Sequence, residues 1–228
     1  MIKAEFLMTP GPTEIPLRVL RAMLRPAIGP GDPEYVRVWD ETAEMLKEVF
    51  QTKHEAVFFP GSGRVSVEAG LLSLVEPGDK VLTVVNGVFG RWMRDTVVRV
   101  VGVPVEVEVE WRRAVNVEEV EAKLEEEPDV KVVALVHNET STGVRNPAGE
   151  IGRVVKDHGC LYLLDTVSSL GGDEVKTDEW GVDVNCTGNY KCLGSPAGLS
   201  ILAVSDEAFE YMGKRKKPAH SFSFDLYK

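Results

Sequence analysis

Two short runs, "KVVALV" (131–136) and "LYLLD" (161–165), constrain the fold more than any other feature of the chain. Each is apolar at nearly every position rather than at alternate ones. Both faces of such a strand must be covered, the signature of a parallel sheet with helices on either side. Apolar strands and amphipathic helices alternate around these runs, from "EAVFF" and "VSVEAGLLSLV" through "KVLTVV", "RWMRDTVVRV", "VPVEVEVE" and "VEEVEAKLEEE" to "AGEIGRVVKDHG" and "GLSILAVS". The pattern predicts an open α/β sheet, mostly parallel, with helices on both faces. No linker or repeat interrupts it, which predicts one domain over residues 16–228 behind an extended arm, residues 1–15. The arm segment "FLMTPGPTEIP" carries three prolines and has no helix interior. A short helix is predicted from Leu17 to about Leu24. A second should start with Asp32 as N-cap and Pro33 in the first turn, burying Tyr35, Trp39, Ala43, Leu46 and Phe50 on one face.

Charge and cysteine usage narrow the function classes. The net charge of −10 over 228 residues argues against a nucleic-acid partner, which needs clustered cations. The one basic cluster, "GKRKKP" (213–218), reads as a solvated helix end or loop. No long uncharged apolar run indicates a membrane span, and the N-terminus has no signal-peptide core. The three cysteines, Cys160, Cys186 and Cys192, form no CxxC pair. Neither a disulfide framework nor a metal site is expected, and a reducing cytoplasm is.

In open α/β sheets, ligands bind at the carboxyl ends of the strands. Five polar groups fall at such ends: "GSGR" (61–64), "NGVFGR" (86–91), "HNETSTG" (137–143), "DTVSS" (165–169) and "GNYK" (188–191). The turn "PGSGR" leads into a helix, whose first N–H groups can hold a phosphate where glycines let the backbone approach. Asp165 ends a buried strand, where a carboxylate needs a partner. Lys191 lies in an almost uncharged loop of turn residues, and burial there would free its amine to attack a carbonyl. An amine, a carboxylate and a phosphate cradle suit pyridoxal phosphate, with the lysine on the aldehyde, the acid on the pyridine nitrogen and the turn on the phosphate. Phe89 is available as a flat aromatic over the ring.

The segments "TPGPTEIP", "PGSGRVSVEAGLLSLVEPGD", "NGVFGRW", "HNETSTGVRNP", "LLDTVSSLGG" and "GNYKCLGSPAGL" together resemble the motifs of class V aminotransferases of the serine/alanine–glyoxylate type. The resemblance implies the fold type I architecture, a mostly parallel sheet with one antiparallel strand. Position by position, it implies Lys191 as the lysine that carries the cofactor and Asp165 as the acid on the pyridine nitrogen. Phe89 matches the stacking aromatic, Val167 the residue packing the opposite ring face, and Thr140 the hydroxyl on the phenolic oxygen. Ser62, Gly63 and Arg64 match the phosphate turn, and Gly11 a residue near the substrate carboxylate. Tyr190 stands where many relatives have glutamine, so a phosphate contact is either lost or replaced by the phenol. Members of the family run on beyond "SFSFDLYK" into a small C-terminal domain carrying the arginine that clamps the substrate carboxylate. The resemblance therefore implies either a fragment or split product, or a second chain that supplies the remainder.

The reading is a transaminase moving an amino group from serine or alanine to glyoxylate or pyruvate, with small amino acids and 2-oxo acids as partners in the reaction and a homodimer as the assembly. Alternatives are a cysteine desulfurase, whose usual histidines are replaced here by Tyr190 and Phe89, a cofactor-binding subunit without activity of its own, and a plain α/β binding domain.

Overall fold

The computed structural model describes residues 7–228, so the first six residues of the arm lie outside the described residues. The arm from residue 7 to 16 has no helix or strand. Two helices follow, α1 (Leu17–Ala22) and α2 (Pro33–Phe50), and then β1 (Glu55–Pro60), α3 (Gly63–Leu74), β2 (Lys80–Val85), α4 (Val88–Arg99), β3 (Val103–Glu108), α5 (Val117–Glu126) and β4 (Val130–Val136). A two-stranded hairpin, β5 (Asn138–Glu139) and β6 (Val144–Arg145), precedes α6 (Ala148–Asp157), β7 (Leu161–Asp165), β8 (Val184–Gly188), β9 (Leu199–Val204) and α7 (Asp206–Gly213).

Seven strands form one sheet in the order β1-β9-β8-β7-β4-β2-β3. Pairing is parallel from β8 to β3, while β9 runs antiparallel to both its neighbours, β1 and β8. The expected architecture, mostly parallel with one antiparallel strand, is thus present. The continuous apolar runs explain it. In β4, Val132, Ala134 and Val136 pack toward α3, α4 and α7, while Val133 and Leu135 pack toward α5 and α6. In β7, Leu161 and Leu163 join the first face, and Tyr162 and Leu164 the second. Each strand residue therefore meets a helix, whichever way it points.

Element boundaries follow local chemistry. Asp32 caps α2 as expected, its carboxylate accepting from Glu34 N–H at 2.8 Å with Pro33 in the first turn. The helix predicted to reach Leu24 stops at Ala22, two residues earlier. Arg25 precedes Pro26, which disfavours the helical conformation there. The expected apolar face of α2 is covered only at its end: Leu46 and Phe50 are buried, Tyr35 and Ala43 are half-buried, and Trp39 stays 40% exposed although its ring lies 4.1 Å from that of Phe58. The basic cluster also departs from a purely solvated reading. Arg215 donates to the carbonyls of Leu72, Ser73 and Val75, closing the carboxyl end of α3 with a cation. Helix α7 and the β5–β6 hairpin are additions to the predicted elements. Among the described residues, no helix is long and apolar enough to cross a membrane.

Candidate active site

The five polar groups expected at strand ends follow β1, β2, β4, β7 and β8, which share one direction in the sheet. They meet at one edge around a cleft of about 230 Å³. Ser62, Arg64, Phe89, Thr140, Asp165, Val167, Tyr190 and Lys191 all line it.

The turn after β1 makes an open helix end. Ser62 is the N-cap of α3, yet its side chain makes no capping bond, so the first-turn N–H groups are not taken by the cap. Its carbonyl accepts instead from the Ser200 hydroxyl at 2.8 Å, which ties the turn to β9. Gly63 is required by space: a Cβ there would lie 2.4 Å from a methyl of Val167. Its N–H donates to the Tyr190 phenol at 3.2 Å, so the tyrosine sits at the helix end and keeps its own O–H to donate elsewhere. Arg64 lays its guanidinium 3.8 Å over the ring of Trp92, which also lines the cleft.

The opposite wall comes from α4 and the β4–β6 connection. Phe89, in the first turn of α4, meets Trp92 edge-on with ring centroids 5.1 Å apart. The Thr140 hydroxyl donates to the Ser168 hydroxyl at 2.8 Å, and Ser168 in turn donates to the Asn138 carbonyl at 3.0 Å. Glu139 is fully buried beneath them. Its carboxylate accepts from Gly90 N–H at 2.9 Å and from Ser141 N–H at 3.1 Å, while the Ser141 hydroxyl accepts from Val88 N–H at 2.9 Å. Two residues of one loop thus cap α4, the helix that presents Phe89.

Asp165 ends β7 with its carboxylate accepting from Val167 N–H at 2.9 Å. Burial pushes this carboxyl up to about 6, the Val167 N–H opposes the shift, Glu139 adds to it, and Lys191 pulls it down. Lys191 follows β8, with its Nζ 5.7 Å from the Phe89 ring centre. Burial lowers its amine from the ordinary lysine range, against the attraction of Asp165 and Cys192. The loop around it is organised by buried Asn189, whose amide donates to the Pro196 carbonyl at 2.6 Å and accepts from Leu199 N–H at 3.2 Å. Gly11 of the arm lies against the lysine stem, where an added Cβ would be 2.7 Å from Lys191 Cδ.

Some members of the five groups turn away from the cleft. His137 is buried, bonds Ser169 at 2.9 Å through Nδ1 and packs edge-on against Trp180; burial holds its imidazole down at about 4. Arg91 lies over Trp111, and Asn86 bonds Asn146 at 2.9 Å. Trp92, Asn138 and Ser168 line the cleft without having been singled out from the sequence. The spacing of Phe89 and Trp92, three apart on one helix, is the signal that identifies the tryptophan.

The comparisons agree with this geometry. The family model described as aminotransferase class-V matches residues 32–222. An aminotransferase of Methanocaldococcus jannaschii is 43% identical over 97% of this chain and 57% of its own length. The (S)-ureidoglycine–glyoxylate transaminase of Bacillus subtilis is 37% identical over 92% of this chain and 51% of its own length. The crystal structure of an alanine–glyoxylate aminotransferase from Nostoc sp. superposes with a TM-score of 0.96 at 33% identity, covering 99% of this chain and 60% of that one. The chain therefore spans about half to three-fifths of the length of these relatives. Most of its residues fall within the matched region, and its sheet superposes on theirs along nearly its whole extent: the chain belongs to the class-V aminotransferase family.

Proposed function

We propose that this chain binds pyridoxal phosphate in the cleft and contributes the chemical half of a transaminase acting on serine or alanine as amino donor and glyoxylate or pyruvate as acceptor. The observation that carries the reading is the convergence of Lys191, Asp165 and the uncapped α3 end on one cleft. The residues fit the group. Gly63 leaves room that a Cβ would fill, as does Gly188, where an added Cβ would come 2.9 Å from Gly63 N. Ser62, Gly63, Arg64 and Tyr190 would hold the phosphate end, Phe89 and Val167 the two ring faces, Thr140 the phenolic oxygen and Asp165 the ring nitrogen.

When bound, pyridoxal phosphate supplies an electrophilic aldehyde and a ring able to accept electrons from the substrate. The chain's own residues do the rest. Lys191, whose amine burial lowers from the ordinary lysine range, would hold the group by its aldehyde carbon and would serve as the base and acid that moves the substrate's α-proton to that carbon. Asp165, whose carboxyl burial holds near 6, would be drawn to its ionised form by a cationic ring nitrogen and would serve as its counter-charge. Gly11, against the lysine stem, would border the substrate carboxylate. The glyoxylate named in two of the relatives supports a small 2-oxo acid as acceptor. Tyr190 and Phe89, at positions where desulfurases usually carry histidine, favour transamination over that chemistry.

A homodimer is proposed as the assembly. No residue of α1 is buried, and Leu17, Leu20, Met23, Leu24, Val36 and Trp39 leave apolar surface on consecutive segments.

Borohydride treatment of the chain after addition of pyridoxal phosphate, followed by peptide mass spectrometry, tests the assignment. The pyridoxyl group should appear on the Lys191 peptide. Labelling confined to other lysines would overturn the reading.

A further inference from the structure

The arm is stitched to the lysine loop at successive points. Thr13 N–H donates to the Tyr190 carbonyl at 3.1 Å, and the Thr13 hydroxyl donates to the Lys191 carbonyl at 2.9 Å. These two carbonyls belong to the peptides on either side of the Lys191 Cα. The Lys191 carbonyl also accepts from Gly194 N–H at 2.9 Å, so both its lone pairs are used. Gly11 closes the same patch with bare backbone, since a Cβ there would come within 2.8 Å of Lys191 Cε as well as 2.7 Å of Cδ. Pro16 lies beside Gly194, which has a φ of +61°. Gly11 to Pro16 therefore run along the loop from Lys191 to Gly194.

The loop's own bonds and the arm's bonds hold different parts of it. Asn189 ties the loop to Ser195, Pro196 and Leu199. Those bonds fix its base, whereas the Tyr190 carbonyl is met by Thr13 N–H and the Lys191 carbonyl is shared between Gly194 N–H and the Thr13 hydroxyl. A lysine that first holds a group and then moves a proton must swing its side chain between two tasks. Precision then requires a fixed Cα beneath a mobile stem, because small misplacements of a reacting atom are costly in rate. Thr13 itself is not among the residues lining the cleft, so its influence runs through Lys191.

We propose that Thr13 is a positioning residue for Lys191: its paired hydrogen bonds clamp the backbone on both sides of the lysine, and Gly11 beside it forms the wall that directs the stem into the cleft. The proposal rests on the reading of Lys191 as the amine that holds the cofactor. It makes the arm a working part of the site. A valine at position 13 keeps the backbone N–H bond and the side-chain shape but loses the hydroxyl, whereas serine keeps both bonds.

The test uses the whole chain, wild type and with Thr13→Val or Thr13→Ser, and two readouts. The first is competitive acetylation by trace acetic anhydride over a pH series without cofactor, with each lysine quantified by peptide mass spectrometry. Thr13→Val should change Lys191 reactivity at neutral pH by about tenfold, the worth of one hydrogen bond, while Thr13→Ser stays within about twofold of wild type. Lys176 and Lys214 should keep their wild-type profiles in both. The second readout is the rate at which pyridoxal phosphate becomes reducible onto Lys191, which Thr13→Val should slow and Thr13→Ser restore. A Thr13→Val chain that folds and matches wild type in Lys191 acetylation would overturn the proposal. If Thr13→Val does not fold, the same comparison on Thr13→Ala decides. If wild type takes no cofactor on Lys191, the cofactor reading falls, and the acetylation profiles still report whether Thr13 governs the amine.

Discussion

Burial drives Asp165 and Lys191 toward their neutral forms, one carboxyl raised to about 6 and one amine lowered. For Asp165 the sign of the stability effect follows directly. The unfolded carboxyl ionises near its ordinary value, the folded one near 6, so between these values the folded chain holds the extra proton. Stability therefore falls as pH rises through that window and remains reduced above it. Asp165→Asn should raise the unfolding free energy of the cofactor-free chain at pH 7.5 by about 2 kcal/mol, with the gain disappearing below about pH 4. Urea melts across pH provide the measurement, and an unchanged or lowered midpoint at pH 7.5 would contradict it. Tyr190→Phe leaves Gly63 N–H without the phenol and removes an O–H at the helix end. Its affinity for pyridoxal phosphate, read by fluorescence titration, should drop about tenfold. These residues were legible because each is out of place for its surroundings: a charge after an apolar run, a lysine among glycines. Ser168 and Thr13 were not, because their partners lie far along the chain and nothing in a seven-residue window marks a hydroxyl that will face a distant group; Glu139 meets Ser141 two residues on, but the Gly90 N–H that ties it to α4 lies 49 residues away.

Elements carry the site only if their ends are tied down. The start of α4 is held by Glu139 and Ser141, and Gly87 leaves no room for more, since a Cβ there would be 2.4 Å from the Glu139 carboxyl carbon. Glu139→Ala strands a buried N–H at Gly90 and should cost about 2–3 kcal/mol, the worth of a hydrogen bond to a charged group. Thermal denaturation measures it, and amide exchange at Val88–Gly90 should accelerate more than exchange in α5. The far end of α3 depends on Arg215 in the same way. Arg215→Ala removes donors from three carbonyls and should lower stability by about 1–2 kcal/mol, more than Lys216→Ala or Lys217→Ala beside it. Equal effects from all three would return the cluster to a solvated role. Strands and long helices were legible from periodicity, and α2 from its Asp32–Pro33 start. The two-residue strands β5 and β6 were not, because so short a ladder has no period to read. Nor was the exposed half of α2: its apolar positions recur at helical spacing whether or not anything covers them.

At the scale of the whole molecule, the uncovered apolar residues of α1 and α2 set the expected assembly. Sedimentation velocity should give a dimer, and Leu20→Asp with Leu24→Asp should shift it toward monomer without altering the circular dichroism of the helices. A monomeric wild type at micromolar concentration would contradict this. The single antiparallel strand has a consequence for how the molecule comes into being. Among the described residues, strand β1 pairs only with β9, with Glu55 opposite Val204 and Pro60 opposite Leu199. The turn after β1 is likewise fastened by Gly61 N–H on the Gly198 carbonyl and by the Ser200 hydroxyl. Contacts this distant in sequence are slow to form. The turn is therefore made early in the chain but held only once the segment just beyond Lys191 has arrived. On the proposed reading of that turn, cofactor uptake would follow the docking of β9 on β1 and report on it, rather than help to bring the two strands together.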